Sequence, residues 1–275
     1  MAFSSEVLSI DKQGAVGMLW LDRADKFNAL STELWSALPD ALNELAADTQ
    51  IGAIILAGRG DHFCAGIDLV QDSLSNHKKN KARSPAEANM LQLENTRKFQ
   101  AAITAIADCP VPVIAVIQGY CLGAGVDLIT ACDIRIATDN ALFSVRETRI
   151  GLVADVGTLQ RLPKILSAGY VAELAYTGMD ISAQRAEKIG LVNDVYDSVA
   201  SAMDAGLILA NKIAENSPMA VRGTKFILQQ GENLTTDQSL LLNGMYTLLS
   251  SLPSNDLQEG IKAFSERRPA KFTGS

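Results

Sequence analysis

Histidine is nearly missing from this chain of 275 residues, with only His62 and His77 present. Cysteine is also scarce. Cys64, Cys109, Cys121 and Cys132 complete the set, and no two have the C-x-x-C spacing of a zinc or redox motif. With so few nitrogen and sulfur ligands a metal centre is not expected. The cysteines read instead as buried, reduced thiols of a reducing compartment. No apolar run reaches the roughly eighteen residues of a membrane span. The opening Met1-Ala-Phe-Ser-Ser-Glu6 lacks the basic and apolar regions of a secretory leader. The closing Phe272-Thr-Gly-Ser275 lacks a Ser-Lys-Leu peroxisomal address. Cytoplasm is therefore the default expectation. Positive charge is in deficit: 24 Lys and Arg against 31 Asp and Glu leave a net charge of −7. That balance argues against a general nucleic-acid or anionic-membrane surface, although a few local cations could still hold an anionic ligand. No internal sequence repeat is visible.

What is present is a large apolar fraction, 48%, with 20% charged residues, enough for a substantial core in one large domain or one domain with an appendage. Val16 to Leu21 and Ala53 to Ala57 read as strands. Ser31 or Thr32 is the expected cap of a helix with Leu34, Leu38, Ala41, Leu42 and Leu45 on one face. Pro39 predicts a kink or a late start in it. Residues 71–89, with lysines at 78, 79 and 81, read as a polar loop that could cover a site. A helix from about Ala86 to Asp108 should turn Leu91, Phe99, Ile103 and Ile106 inward. Short strands are expected at Ile136-Ala137, Leu142 to Val145 and Leu191 to Tyr196, and helices over 159–178 and 183–189. Helices over 199–215, 218–230, 236–251 and 256–267 follow. The change from mixed to all-helical pattern sets a boundary near residue 197, giving expected units 1–197 and 198–275.

The stretch from Val113 to Arg135 organises the chain. Val113 to Ile117 is β-branched and apolar, a buried strand. Gly119-Tyr-Cys-Leu-Gly-Ala-Gly125 then turns sharply. An apolar helix follows, carrying a single acid, Asp127. Free N–H groups at its start would face the turn and favour negative charge there. Two readings are open from these residues alone: a tight strand-to-helix connection, or an oxyanion hole with a carboxylate one turn inside.

A second glycine turn, Phe63-Cys-Ala-Gly-Ile-Asp68, precedes it in sequence. Together with Lys26-Phe-Asn-Ala-Leu30, Asp133-Ile-Arg135 and Thr158-Leu-Gln-Arg-Leu-Pro163, these segments resemble the crotonase, or enoyl-CoA hydratase/isomerase, superfamily over roughly residues 8 to 270. The resemblance implies an α/β fold, a spiral of ββα units with a C-terminal helical trimerisation region, and assembly as a homo-trimer or a hexamer built from two trimers. It implies an acyl-CoA thioester substrate and no separate cofactor. The thioester oxygen would lie between the backbone N–H groups of Ile67 and Ala124. Many family members have glycine where Ala124 stands; the donor is a main-chain group, so the added methyl narrows the pocket without removing it. Ala65, Gly66, Asp68, Leu69 and Gly123 would line the substrate, the adenine lying near Asp68 and Leu69. Lys26 is a candidate partner for the CoA phosphates, as is Lys271.

Around the acids the similarity is closer to the isomerases that convert 3,5-dienoyl-CoA to 2,4-dienoyl-CoA in fatty-acid β-oxidation. The matching segments are Gly125-Val-Asp-Leu128, Val145-Arg-Glu147 and Ala154-Asp-Val-Gly157, and the matching acids are Asp127, Glu147 and Asp155. Hydratases of the family have glutamate at the first two of these positions and no acid at the third. The resemblance puts Glu147 near carbon 2, Asp155 near carbon 6, and Asp127 beside Glu147 as a tuning neighbour. The chemistry fits two acids, because protons leave and arrive four bonds apart and one short carboxylate cannot serve both ends. Each acid also has a plain structural alternative. Glu147 could pair with Arg146 or Arg149, Asp155 could cap the helix beginning at Thr158, and a buried Asp127 would need a partner. Two other activities stay open: an enoyl-CoA hydratase using Asp127 and Glu147, and a non-catalytic acyl-CoA- or RNA-binding relative, which the negative charge and intact acids disfavour.

Overall fold

In a computed structural model of the chain, residues 3–69 and 83–275 are described. The polar stretch with Lys78, Lys79 and Lys81 lies outside them. The chain opens with an antiparallel pair, β1 (Leu8–Gln13) and β2 (Val16–Leu21). From β2 onward one step is repeated. A long strand joins a parallel sheet, a short extended segment follows it, and a helix then returns the chain. The long strands are β2, β3 (Ala53–Gly58), β4 (Val113–Ile117) and β6 (Ile134–Thr138). The helices are α1 (Thr32–Ala47), α2 (Pro85–Asp108), α3 (Ala124–Ala131) and α4 (Thr158–Ile165). The short segments touch in sequence: Leu30 bridges Ile67, Cys64 bridges Cys121, and β5 (Tyr120–Leu122) pairs with β7 (Leu142–Ser144). The result is the spiral of ββα units that the resemblance implies.

α5 (Ala168–Thr177) and α6 (Ala183–Ile189) flank the two-residue β8 (Ile181–Ser182), which closes the smaller sheet against β7. β9 (Asp194–Tyr196) completes the larger one, in the order β1-β2-β3-β4-β6-β9. β3 and β4 are buried at every position because both faces of the sheet are covered, the usual state of parallel strands. Ile54 and Leu56 face the core under α1 and α2; Ala53, Ile55 and Ala57 face α7 (Val199–Ala214). Each buried isoleucine or leucine among these contributes about 1.5–3 kcal/mol by leaving water.

Ser31 caps α1, its Oγ accepting from Leu34 N. The helix neither starts late nor stops at Pro39, because the buried face of Leu34, Trp35, Leu38, Ala41, Leu42 and Leu45 outweighs one missing backbone bond. α2 begins within the stretch read as loop. Ser84 is its cap and Pro85 its first residue, where a missing N–H costs nothing. Leu91, expected inward, is 41% exposed. Only the C-terminal turns of α2 meet the core, through Ala102, Ile103 and Ile106, with Phe99 tilted on Trp35. The glycine turn after β4 also contains β5, too short to read from periodicity. After α7 come α8 (Pro218–Gly231), α9 (Thr236–Tyr246), a π-helical turn over Thr247–Ser251, and α10 (Asn255–Glu266). Asp256, 2% exposed, holds the C-terminal tail by accepting from Thr273 N and Gly274 N.

Candidate active site

The first wall of the site is the turn after β3. It lies beside the loop that precedes α1. Ala65 N donates to Phe27 O, Leu30 N to Gly66 O and Asp68 N to Leu30 O. Asn28 shapes that loop. It is fully buried with a positive φ of 56°, a conformation asparagine tolerates. Its Oδ1 accepts from Arg23 N while its Nδ2 donates to Arg59 O and His62 O. Arg23 Nη2 then pairs with Asp68 Oδ2 at 2.9 Å, both side chains about nine-tenths buried. Asp68 therefore commits its carboxylate and its N–H to holding the turn.

The second wall is the turn from β5 into α3. A methyl group on Gly66, whose φ is +97°, would lie 2.9 Å from Leu122 O and 3.6 Å from Ala124 N. The two turns are thus in contact, and only glycine allows it. Ile67 and Ala124 flank this contact. Among the described residues neither of their N–H groups donates to another group. Ala124 is the first residue of α3, where an N–H has no acceptor within the helix.

Asp127, in the first turn of α3, is fully buried. Its Oδ1 accepts from Thr158 N, the first residue of α4. Asp127 thereby caps α4 from across the site. The helix's own cap residue is Gly157, which has no side chain to do so, and Asp155 does not cap it. Glu147 begins a 3-10 turn (Glu147–Ile150). A Cβ on Gly123 would be 3.4 Å from Glu147 Oε1, which puts this carboxylate one residue from Ala124. Glu147 does not pair with the arginines beside it: Arg146 and Arg149 both turn to Asp180, at 2.8 and 3.8 Å. Among the described residues, Asp127 Oδ2 and Glu147 Oε2 are buried without a hydrogen-bond partner.

Asp155 lies in an extended stretch between Glu147 and α4. Its neighbours Ala154 and Val156 are each 5% exposed and anchor in the core, so alternation turns Asp155 the other way. It is solvent-exposed in this chain rather than enclosed in an apolar pocket. Partial shielding of the carboxyl by the surrounding chain is the main cause that raises it above the ordinary value. Burial likewise pushes Glu147 up to about 7, with added repulsion from Asp127 and Asp155. It pushes Asp127 to about 6, opposed by hydrogen bonding from Thr158 and by the charge of Arg161. The three acids therefore share one electrostatic environment. Among the described residues no three His, Cys, Asp or Glu side chains group as metal ligands.

Lys26 is exposed on a 3-10 turn (Ala24–Lys26) beside the Ala65 wall, with Leu69 exposed at its far end. Lys271 lies on the C-terminal segment, its N–H on Glu259 Oε1 at 2.8 Å; among the described residues no hydrogen bond or ion pair joins its side chain to these turns. Asn28 falls in the segment 26–30, Arg161 in the segment 158–163 and Arg23 just ahead of the first, yet nothing in one-dimensional pattern gives their roles. Asn28 alone carried a signal, as a residue type suited to a left-handed turn. All four cysteines are free and buried, with thiols raised by burial.

Residues 11–275 match the family model described as enoyl-CoA hydratase/isomerase. The chain is 37% identical over 267 residues to the peroxisomal Delta(3,5)-Delta(2,4)-dienoyl-CoA isomerase of Arabidopsis thaliana, covering 97% of this chain and 96% of that one. It is 36% identical to the mitochondrial Delta(3,5)-Delta(2,4)-dienoyl-CoA isomerase of Homo sapiens, over 91% of this chain and 76% of that one. Among solved structures it resembles an enoyl-CoA hydratase from Bacillus anthracis, with a TM-score of 0.89, 31% identity, and coverage of 98% of this chain and 100% of that one. No described helix is long and apolar enough to cross a membrane. The contact of two glycine turns, the acids gathered beside it and the match along nearly the whole length agree: the chain belongs to the enoyl-CoA hydratase/isomerase family.

Proposed function

We propose that this protein is a cofactor-independent isomerase that converts a 3,5-dienoyl-CoA to the 2,4-dienoyl-CoA. The observation that carries the proposal is the third carboxylate: Asp155 shares the electrostatic environment of Asp127 and Glu147 beside the two glycine turns. The named relatives above act on this substrate class. The thioester oxygen accepts from Ile67 N–H and Ala124 N–H, and two such fixed donors are worth about 10²–10³ in rate each. Glu147 takes a proton from carbon 2. A carboxyl at about 7 is matched to that task near neutral pH. The resulting charge spreads through the diene, and protonated Asp155 delivers a proton to carbon 6. Both double bonds move into conjugation with the thioester, and the two acids regain their starting states by exchange with water. Asp127 holds the start of α4 through Thr158 N and adds negative charge that favours the protonated form of Glu147.

The solved structures bearing the name enoyl-CoA hydratase favour a second reading, hydration of a 2-enoyl-CoA. Against it, one oxygen of Asp127 is already committed to Thr158 N. An absorbance scan separates the two. The isomerase gains long-wavelength absorbance from a 3,5-dienoyl-CoA as conjugation extends; a hydratase loses absorbance from a 2-enoyl-CoA. Loss with the second substrate and no change with the first would overturn the proposal.

The C-terminal helices support assembly into a trimer or a pair of trimers. α9 and the turn after it leave Leu240, Leu241, Met245, Leu248 and Leu249 more than half exposed, an apolar face that a lone protomer would hold in water. Light scattering should give at least three times the protomer mass at micromolar concentration; a monomer would refute this.

A further inference from the structure

Gln100 and Thr104 stand one turn apart on the same face of α2. Gln100 Nε2 donates to the backbone oxygen of Asp155 at 2.6 Å, and Arg161 Nη2 donates to Thr104 Oγ1 at 2.9 Å. These bonds grip the two ends of one short segment. Asp155 is at one end, Thr158, whose N–H meets Asp127, is in the middle, and Arg161 is at the other. The guanidinium is folded back on the segment: a Cβ on Gly157 would lie 1.9 Å from Arg161 Nη1. Little else fixes Asp155. From 153 to 157 no main-chain N–H donates to another described residue, and the anchors there are the buried side chains of Ala154 and Val156. Those apolar anchors set depth but not the position of the carboxylate along the substrate. A directional bond to the backbone of the acid itself does that.

We propose that Gln100, seconded by Thr104 through Arg161, is a positioning residue that sets Asp155 at its distance from Glu147 and so decides whether the second proton transfer occurs. The inference rests on the reading of Asp155 as the acid at carbon 6. It makes one face of α2 the feature that distinguishes double-bond transfer from simple enolisation. Displacement of a reacting group by about 1 Å can cost 10²-fold in rate, and one lost hydrogen bond is expected to cost about tenfold.

The test uses two readouts in D₂O on the full-length enzyme. Exchange of the carbon 2 proton needs Glu147 and the two N–H donors; formation of conjugated product also needs Asp155. Gln100→Leu removes the donor at similar size, and Gln100→Glu turns a carboxylate toward the Asp155 carbonyl. Both should lower product formation about tenfold or more while carbon 2 exchange and KM stay within about twofold. Thr104→Val should show a weaker form of the same split. Exchange and product formation falling together would mark Gln100 as merely structural, and unchanged product formation would remove it altogether; either result overturns the inference. If wild-type enzyme converts no 3,5-diene, the proposed function has failed instead, which the wild-type arm reports separately.

Discussion

Replacing Glu147 by glutamine should stabilise the fold while abolishing turnover. Burial, with Asp127 and Asp155 nearby, lifts this carboxyl from 4.5 to about 7. The ionised form is thus disfavoured in the folded chain relative to the unfolded one. At about 1.4 kcal/mol per tenfold, the gap corresponds to at most about 3.5 kcal/mol. Glu147 is only partly buried, and solvent screening reduces this to roughly 1–2 kcal/mol. The direction with pH follows from the raised value. Stability that Glu147 gives in its protonated form is fully present below pH 4.5 and is lost as pH rises through about 7. Glutamine carries no such dependence. Melting of wild type and Glu147→Gln, at one fixed protomer concentration, should therefore nearly coincide at pH 5. At pH 8 the variant should melt roughly 3–6 °C higher. In the same protein the wild-type rate should follow a bell-shaped pH profile, rising as Glu147 becomes a base and falling as Asp155 loses the proton it delivers, and the variant should be inactive throughout. Parallel melting curves from pH 5 to 8, or a variant less stable at pH 8, would refute the assignment of Glu147 as a carboxylate held against its preferred charge.

Two further substitutions probe the walls of the site. Gly66→Ala forces a side chain to a φ of +97° and within 2.9 Å of Leu122 O. It should part the two turns and lower kcat by about 10²-fold or more without removing the fold, as circular dichroism and a kinetic assay would report. Asp68→Ala leaves the buried Arg23 guanidinium without its carboxylate and should cost about 3–5 kcal/mol in urea unfolding; a loss below about 1 kcal/mol would show that the pair does not hold the turn.

The long strands and the C-terminal helices were legible because they are read from periodicity and from runs of buried aliphatics. β3 and β4, buried on both faces, announce themselves as unbroken apolar segments. The site was legible in its acids and glycines because the chemistry demands those residue types and the family resemblance fixed their order. The parts that were not legible depend on three dimensions. That Arg146 and Arg149 turn to Asp180, leaving Glu147 unpaired by them, is decided by a residue more than thirty positions away. That Asp127 rather than Asp155 caps α4 follows from α3 and α4 meeting across the site. Asp155 stands between two core-anchored residues yet is itself exposed, because alternate residues of an extended chain face opposite ways. Gln100 and Asn28 act through backbone groups of distant segments, which no local pattern records.

If Glu147 and Asp155 serve opposite ends of a diene, Asp155→Asn should separate the two proton transfers. Purified, folded Asp155→Asn enzyme is mixed with a 3,5-dienoyl-CoA in D₂O, and carbon 2 exchange and conjugated product are followed together. Exchange should continue while product formation drops by at least about 10²-fold, the scale of a lost general acid. Product formed at the wild-type rate would contradict that assignment of the two acids.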